Sequence, residues 1–419
     1  MMALIVMSCS KDETTMSIPQ ESNAIEFGTY VGRDAQTRTT MINDVAALQP
    51  KGFGVFAYYT NDSDYNSSSS TPNFMYNQKV EGAVAGDGTA ESPYVYTWSY
   101  TPVKYWPNEV AGNEQYDKDK VSFFAYAPYS AASTTDALNN FTFTPANDAP
   151  GDPKIAYIVN TDVKKQEDLL WGVNNTVAES DAGYGFPFKD QQKQTVGGDI
   201  KFQFKHALAR IGFNVLAMVD DLTTSKEIAD GTDIVVTQVE LIGKFYASGA
   251  LNLNNTEANV PLWSDAAASA DDGVRTFVLS SVADNFVNEG DFGTKDEGAD
   301  QTHGQLVSKE IKPLNADDSY LMVIPQKFDG TTHPKIKIRV TYDVITADGK
   351  LDTKQSKVTN VITSDEFAFT FVGGNAYTFN LHLGMTSVKF SADVAAWTEV
   401  GTGTVVNVPI NTPDPVVEP

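Results

Sequence analysis

The sequence is poor in the side chains that most catalytic and metal chemistry uses. It holds one cysteine and four histidines, and its 30 lysines and arginines face 54 aspartates and glutamates, for a formal net charge of −24. A single cysteine forms no internal disulfide. His206, His303, His333 and His382 stand apart, with no second histidine or cysteine at ligand spacing. The shortage of positive charge argues against nucleic acid or anionic lipid as a partner, since both need a positive patch. No stretch approaches the roughly 18 apolar residues of a membrane-spanning helix.

The remaining motifs that point toward chemistry are incomplete. Asp62-x-Asp64-x-Asn66 opens like a calcium loop but has Ser67 where the glycine belongs and Asn73 where the bidentate glutamate belongs. Gly401-x-Gly403 opens no helix and fails as a nucleotide fingerprint. The many carboxylates are scattered, and no pair stands out as an acid and a base. No catalytic residue, cofactor or metal site is therefore expected.

What the chain does have is material for β-structure. Of its 419 residues, 41% are hydrophobic and 11% aromatic, enough for true cores and for two domains. Phe53 to Tyr59 and Val121 to Ala127 are aromatic-rich strand candidates, Ile200 to Phe204 and Ile336 to Val340 alternate cleanly, and Phe367 to Phe371 and Tyr377 to Leu383 follow. Such alternation suits half-buried strands. Asp/Asn/Ser/Gly/Pro clusters at residues 61–71 and 146–153 read as loops. Regular strands without αβ alternation predict an all-β chain of sandwiches. The polar stretch 190–199, with Gly197-Gly198, suggests a boundary. The predicted organisation is an export and linker segment at 1–23, a first sandwich at 24–195, and a second at 196–419 with an extended, proline-rich tail.

The position of Cys9 is informative. The short apolar run Ala3 to Met7, then Ser8, reads as the end of a signal-peptide h-region. A small residue before the cysteine resembles the bacterial lipobox, in which the thiol is acylated. Ser10-Lys11-Asp12-Glu13 resembles the signal that sends Bacteroidetes lipoproteins to the outer surface. Cys9 is thus the expected lipidation site, and acylation excludes cysteine catalysis. Tyr94, Tyr96, Trp98 and Tyr100 alternate along one run, with Tyr105-Trp106-Pro107 after it. An exposed run of this kind would stack on sugar rings, but in a sandwich such rings more often pack a core or a domain face; core packing is the expectation.

The order of segments resembles the Bacteroidales fimbrillin family, the subunits of type V pili, and especially its gut fimbrillin-like branch. The resemblance rests on the lipobox, Thr37-Arg38-Thr39, Gly52-Phe53-Gly54-Val55-Phe56-Ala57-Tyr58, and Val103-Lys104-Tyr105-Trp106-Pro107. It continues through Ser122-Phe123-Phe124-Ala125-Tyr126-Ala127-Pro128, Phe202-Gln203-Phe204-Lys205-His206-Ala207-Leu208-Ala209-Arg210, Gly374-Asn375-Ala376-Tyr377-Thr378-Phe379 and Val394 to Trp397. It implies two tandem transthyretin-like β-sandwiches in a structural and adhesive subunit. The implied life cycle is export as an outer-membrane lipoprotein, trimming by a trypsin-like protease, and assembly with other pilus subunits into a surface fimbrium by strand exchange.

On that reading Arg38 is the trimming site and Arg33 the second candidate; read alone, both are solvated loop charges. The removable strand carries Ile25, Phe27, Thr29 and Val31 on one face, with Glu26, Gly28 and Tyr30 on the other. The donor strand carries Thr404, Val406, Val408 and Ile410, similarly apolar and β-branched. The sequence equally allows that segment to be the ordinary last strand of its own sandwich. A second functional class fits the lipobox and the aromatics: a surface glycan-binding lipoprotein that serves an outer-membrane transporter.

Overall fold

The computed structural model describes residues 23–31, 42, 44–107, 118–131, 141–218, 232–268, 273–277, 279, 286–287, 304–314, 320–351, 355–384, 388–396 and 404–407. Among these the chain is nearly all β, an arrangement of stacked sheets. Its helices are single turns, such as Val45–Leu48 and Lys193–Val196.

The first sheet has eight strands. Its path runs Glu26–Val31, Asp199–His206, Leu170–Val173, Val121–Ala127, Phe53–Tyr59, Met75–Ala85 and Val95–Ser99, and Phe188–Gln191 pairs beside Val121–Ala127. Its central strands are buried on both faces, which the expectation of half-buried strands did not include. Phe53, Val55, Phe123 and Ala125 enter one core; Phe56, Tyr58, Phe124 and Tyr126 enter another on the opposite face. A strand covered twice must be apolar throughout rather than alternating. Gly54 makes this possible locally, because the ring of Tyr126, its partner in the ladder, occupies the space where a Cβ would stand.

The second core is closed by a four-stranded sheet drawn from both halves of the chain. Lys154–Ile158 pairs antiparallel with Tyr246–Asn252, which also pairs with Leu262–Ala268. Leu251, Met322 and Ile324 thereby share a core with Trp171 and Tyr126.

The expected division after residue 195 falls inside the first sheet. Asp199–His206 pairs with both Glu26–Val31 and Leu170–Val173, and Ile200, Phe202 and Phe204 fill the same core as Phe27 and Phe53. The polar stretch that suggested a linker is a reversal between two strands of one sheet, made by the Lys193–Val196 turn. Gly197 and Gly198 follow it at φ 68° and 98°, left-handed values that glycine adopts without strain. The chain leaves the first sheet at Ala207 and Leu208.

Two six-stranded sheets then enclose the largest core. One is centred on Ala209–Ala217, Asn375–Leu383 and Val388–Ala396; the other on Thr232–Ile242 and Lys337–Ala347. Both sandwiches join their first strand to a late one in parallel register. Arg210 through Ala217 pair with Ala376 through Leu383, and Glu26 through Val31 pair with Asp199 through Phe204. The two pairs differ in position. Ala209–Ala217 is interior, flanked on its other side by Lys312–Pro313 and Leu321–Val323, whereas Glu26–Val31 forms the edge of its sheet.

Candidate assembly groove

The edge strand Glu26–Val31 lies across an aromatic floor. Alternation turns Ile25 and Phe27 inward, 1% and 7% exposed, and leaves Glu26 in solvent. The Phe27 ring is surrounded by Tyr100, Phe123, Phe53 and Phe202 at centroid distances of 5.2, 6.1, 6.2 and 6.2 Å, the last stacked at 19°. Such pairs stabilise beyond the area they bury. Gly28 lies under the Lys201 stem; a Cβ there would stand 3.0 Å from Lys201 Cγ.

Thr29 continues the inward face with a flaw. Its Oγ1 is buried and has no hydrogen-bond partner among the described residues. A buried hydroxyl left unsatisfied costs about 1–3 kcal/mol. The strand therefore fits well at Ile25 and Phe27 and less well at Thr29. The Val31 side chain lies outside the described residues.

The strand is tied down at its start. Ile25 N–H donates to the Lys104 carbonyl at 2.9 Å and Trp106 N–H to the Asn23 carbonyl at 3.0 Å. The Tyr100 hydroxyl donates to the Ile25 carbonyl at 2.9 Å. Beyond Ile25, the described ladder runs only along Asp199–His206. Taking the strand away would bare one edge of Asp199–His206 and an apolar trough floored by Phe53, Phe123 and Phe202. An extended chain with apolar residues at alternate positions would satisfy both the edge and the trough.

Further along the chain from the first strand, one backbone anchor is in view. Ile42 is fully buried, and its N–H donates to Asp168 Oδ2 at 3.1 Å. Asp168 is itself buried and lies 3.0 Å from His206 Nδ1. Sequence reasoning missed this pair, since the aspartate and histidine are 38 residues apart and lie on different strands or turns.

The other expected positions fall as follows. Cys9, Arg33, Arg38, Val408 and Ile410 lie outside the described residues. Thr404–Asn407 forms a strand on the edge of its own sandwich, with Thr404 opposite Val394 and Val406 opposite Ala392. His333 Nε2 lies 2.9 Å from the Tyr246 hydroxyl, and burial, then Lys389, holds the His382 imidazole below its ordinary range. His303 lies outside the described residues. Asp64 is paired with Lys120. Among the described residues no three His, Cys, Asp or Glu side chains gather as a metal site. The aromatic run divides. Trp98 and Tyr100 pack against the first core, while Tyr94 is exposed and Tyr105 more so. Trp106 is buried, its indole N–H donating to the Gly198 carbonyl at 3.0 Å.

Comparison with known proteins fits this picture. Residues 37–272 match the model of a family described as fimbrillin-like. The fimbrium subunit Fim1C of Phocaeicola vulgatus is 26% identical over 412 residues, covering 95% of each chain. The crystal structure of a fimbrial protein from Bacteroides vulgatus ATCC 8482 aligns with a TM-score of 0.60 at 22% identity, over 90% of this chain and 100% of that one, and so shares the fold.

Proposed function

From the premise that the chain belongs to the fimbrillin-like family, we propose that it is a structural and adhesive fimbrial subunit that polymerises by exchanging its first strand. The precursor is exported as a lipoprotein acylated at Cys9 and held at the outer membrane. A trypsin-like protease cuts at Arg38, with Arg33 as second choice, and the segment carrying Ile25, Phe27, Thr29 and Val31 leaves. A strand of another subunit, carrying Thr404, Val406, Val408 and Ile410, enters the trough. The likeness to a fimbrium subunit of Phocaeicola vulgatus supports the first part of this reading.

One observation carries the second part: the first strand is an edge strand in parallel register, laid over an aromatic trough. Because it lies at the edge of its sheet, its loss leaves the other described pairings of that sheet in place. The buried Ile42 would keep the new chain start clamped to Asp168.

The test is limited trypsin treatment of the purified precursor. We expect a resistant core whose N-terminal sequence begins at Thr39 or Asp34, together with ladders that survive SDS. A core that still begins near residue 24, or first cuts within a sheet, would refute the activation step. Correct trimming without ladders would refute strand exchange.

A further inference from the structure

A groove of about 1100 Å³ runs between the first strand and the Val95–Ser99 strand. Its walls are chiefly aromatic and polar. Tyr96, Trp98 and Tyr184 line it as half-buried rings, and Glu26, Asn175 and Gln203 add a carboxylate and two amides.

These groups are held in place. Trp98 is backed by Phe53, with ring centroids 5.0 Å apart. Asn175 Oδ1 accepts the Gly185 N–H at 3.0 Å, and Asn175 Nδ2 donates to Gln203 Oε1. That bond fixes the Gln203 amide, whose own N–H groups have no acceptor among the described residues. The hydroxyls of Tyr96 and Tyr184 are likewise without a protein partner among the described residues. The groove thus offers flat apolar faces edged by oriented donors and acceptors.

We propose that this groove binds a neutral oligosaccharide. A sugar ring has an apolar C–H face for an aromatic ring to cover and a rim of hydroxyls that both donate and accept. The rings of Tyr96, Trp98 and Tyr184 meet the first need; the Gln203 amide, the tyrosine hydroxyls and the Glu26 carboxylate meet the second. A fatty chain would call for aliphatic walls, and among the described lining residues Ile25, Val45 and Val103 are the only larger aliphatic side chains. An acidic glycan would meet the Glu26 carboxylate and a chain of net charge −24, with Lys201 the single cation among the described lining residues. Drug-sized ligands fill pockets of roughly 300–1,000 Å³, so the groove accommodates several sugar rings. One wall is the first strand, so the site belongs to the untrimmed protein. The proposal stands whether or not that strand is later exchanged.

The test uses the full chain and a panel of neutral cello-, manno- and chito-oligosaccharides of three to six sugars, followed by calorimetry and tryptophan fluorescence. We expect at least one member to bind saturably at millimolar concentration or below. Tyr184→Ala and Gln203→Ala should each weaken it about tenfold with circular dichroism unchanged. Trypsin-induced ladders in the Tyr184→Ala variant report on assembly separately and should form as in the parent. No saturable binding by any member, or equal binding by both variants, would overturn the proposal. So would occupation of the groove by a synthetic peptide of residues 402–411 but by no sugar.

Discussion

Thr29 is the residue at which the first strand fits its trough least well. A buried Oγ1 without a partner among the described residues weakens the strand's hold, whereas Phe27 anchors it among four rings. The two side chains should respond in opposite directions. Thr29→Val keeps the shape and removes the hydroxyl; it should stabilise the precursor by about 1 kcal/mol and slow ladder formation after trimming. Phe27→Ala opens a cavity and should cost roughly 3–5 kcal/mol, loosening the strand. Urea unfolding and timed SDS gels would measure both. A destabilised Thr29→Val would mean that the hydroxyl has an acceptor and that the strand is not poised for release. The inward face of Ile25, Phe27 and Thr29 was legible because period-2 alternation is a local signal. Asp168 was not, because nothing near it in sequence announces that it holds Ile42 and His206 from distant segments.

Among the elements, the first and last strands are the ones the pattern marked out, and both lie at sheet edges. Which strands they pair with was not legible. Parallel pairing of Glu26–Val31 with Asp199–His206 joins segments some 170 residues apart in number, and residue alternation carries no address for a partner. The Gly197-Gly198 pair reads as a linker in the sequence, yet glycines at positive φ serve a tight reversal as well, and here they follow the turn between two strands of one sheet. Thr404–Asn407 pairs with Val388–Ala396 in its own chain over a ladder of four described residues, outermost in its sheet. A short edge ladder contributes little to its sandwich. A chain ending at Val400 should therefore keep its circular dichroism and remain a monomer, trim normally with trypsin, and form no ladder. Unfolding of the shortened chain would make this strand a required part of its own sandwich. Ladders from it would place the donor elsewhere.

At the scale of the whole molecule, the two sandwiches are not joined like beads on a string. The sheet that pairs Lys154–Ile158 with Tyr246–Asn252 takes strands from each half, and it closes a core that reaches from Phe56 to Ile324. Further ties cross the same seam. Asn252 and Asn254 donate to the two oxygens of Asp152 at 3.0 and 2.9 Å, and the Met322 N–H donates to Gln166 Oε1 at 2.7 Å. A subunit that transmits pulling forces along a fibre gains from such a seam, because load then crosses paired strands and a packed core rather than a linker. The same seam should make unfolding cooperative across both halves, although a chain of this length would by default be expected to unfold in separate steps. We expect one calorimetric transition for the intact chain, with calorimetric and van't Hoff enthalpies in agreement. Ala250 sits at the middle of the seam, opposite both Ala156 and Ser264. Ala250→Pro removes a donor and forces a clash in a central strand, at a cost of about 3 kcal/mol or more. If the seam is what couples the halves, this variant should split the single transition into two, with the later one, from the second sandwich, little shifted. Two transitions in the unaltered chain would mean that the shared sheet joins the halves without coupling them.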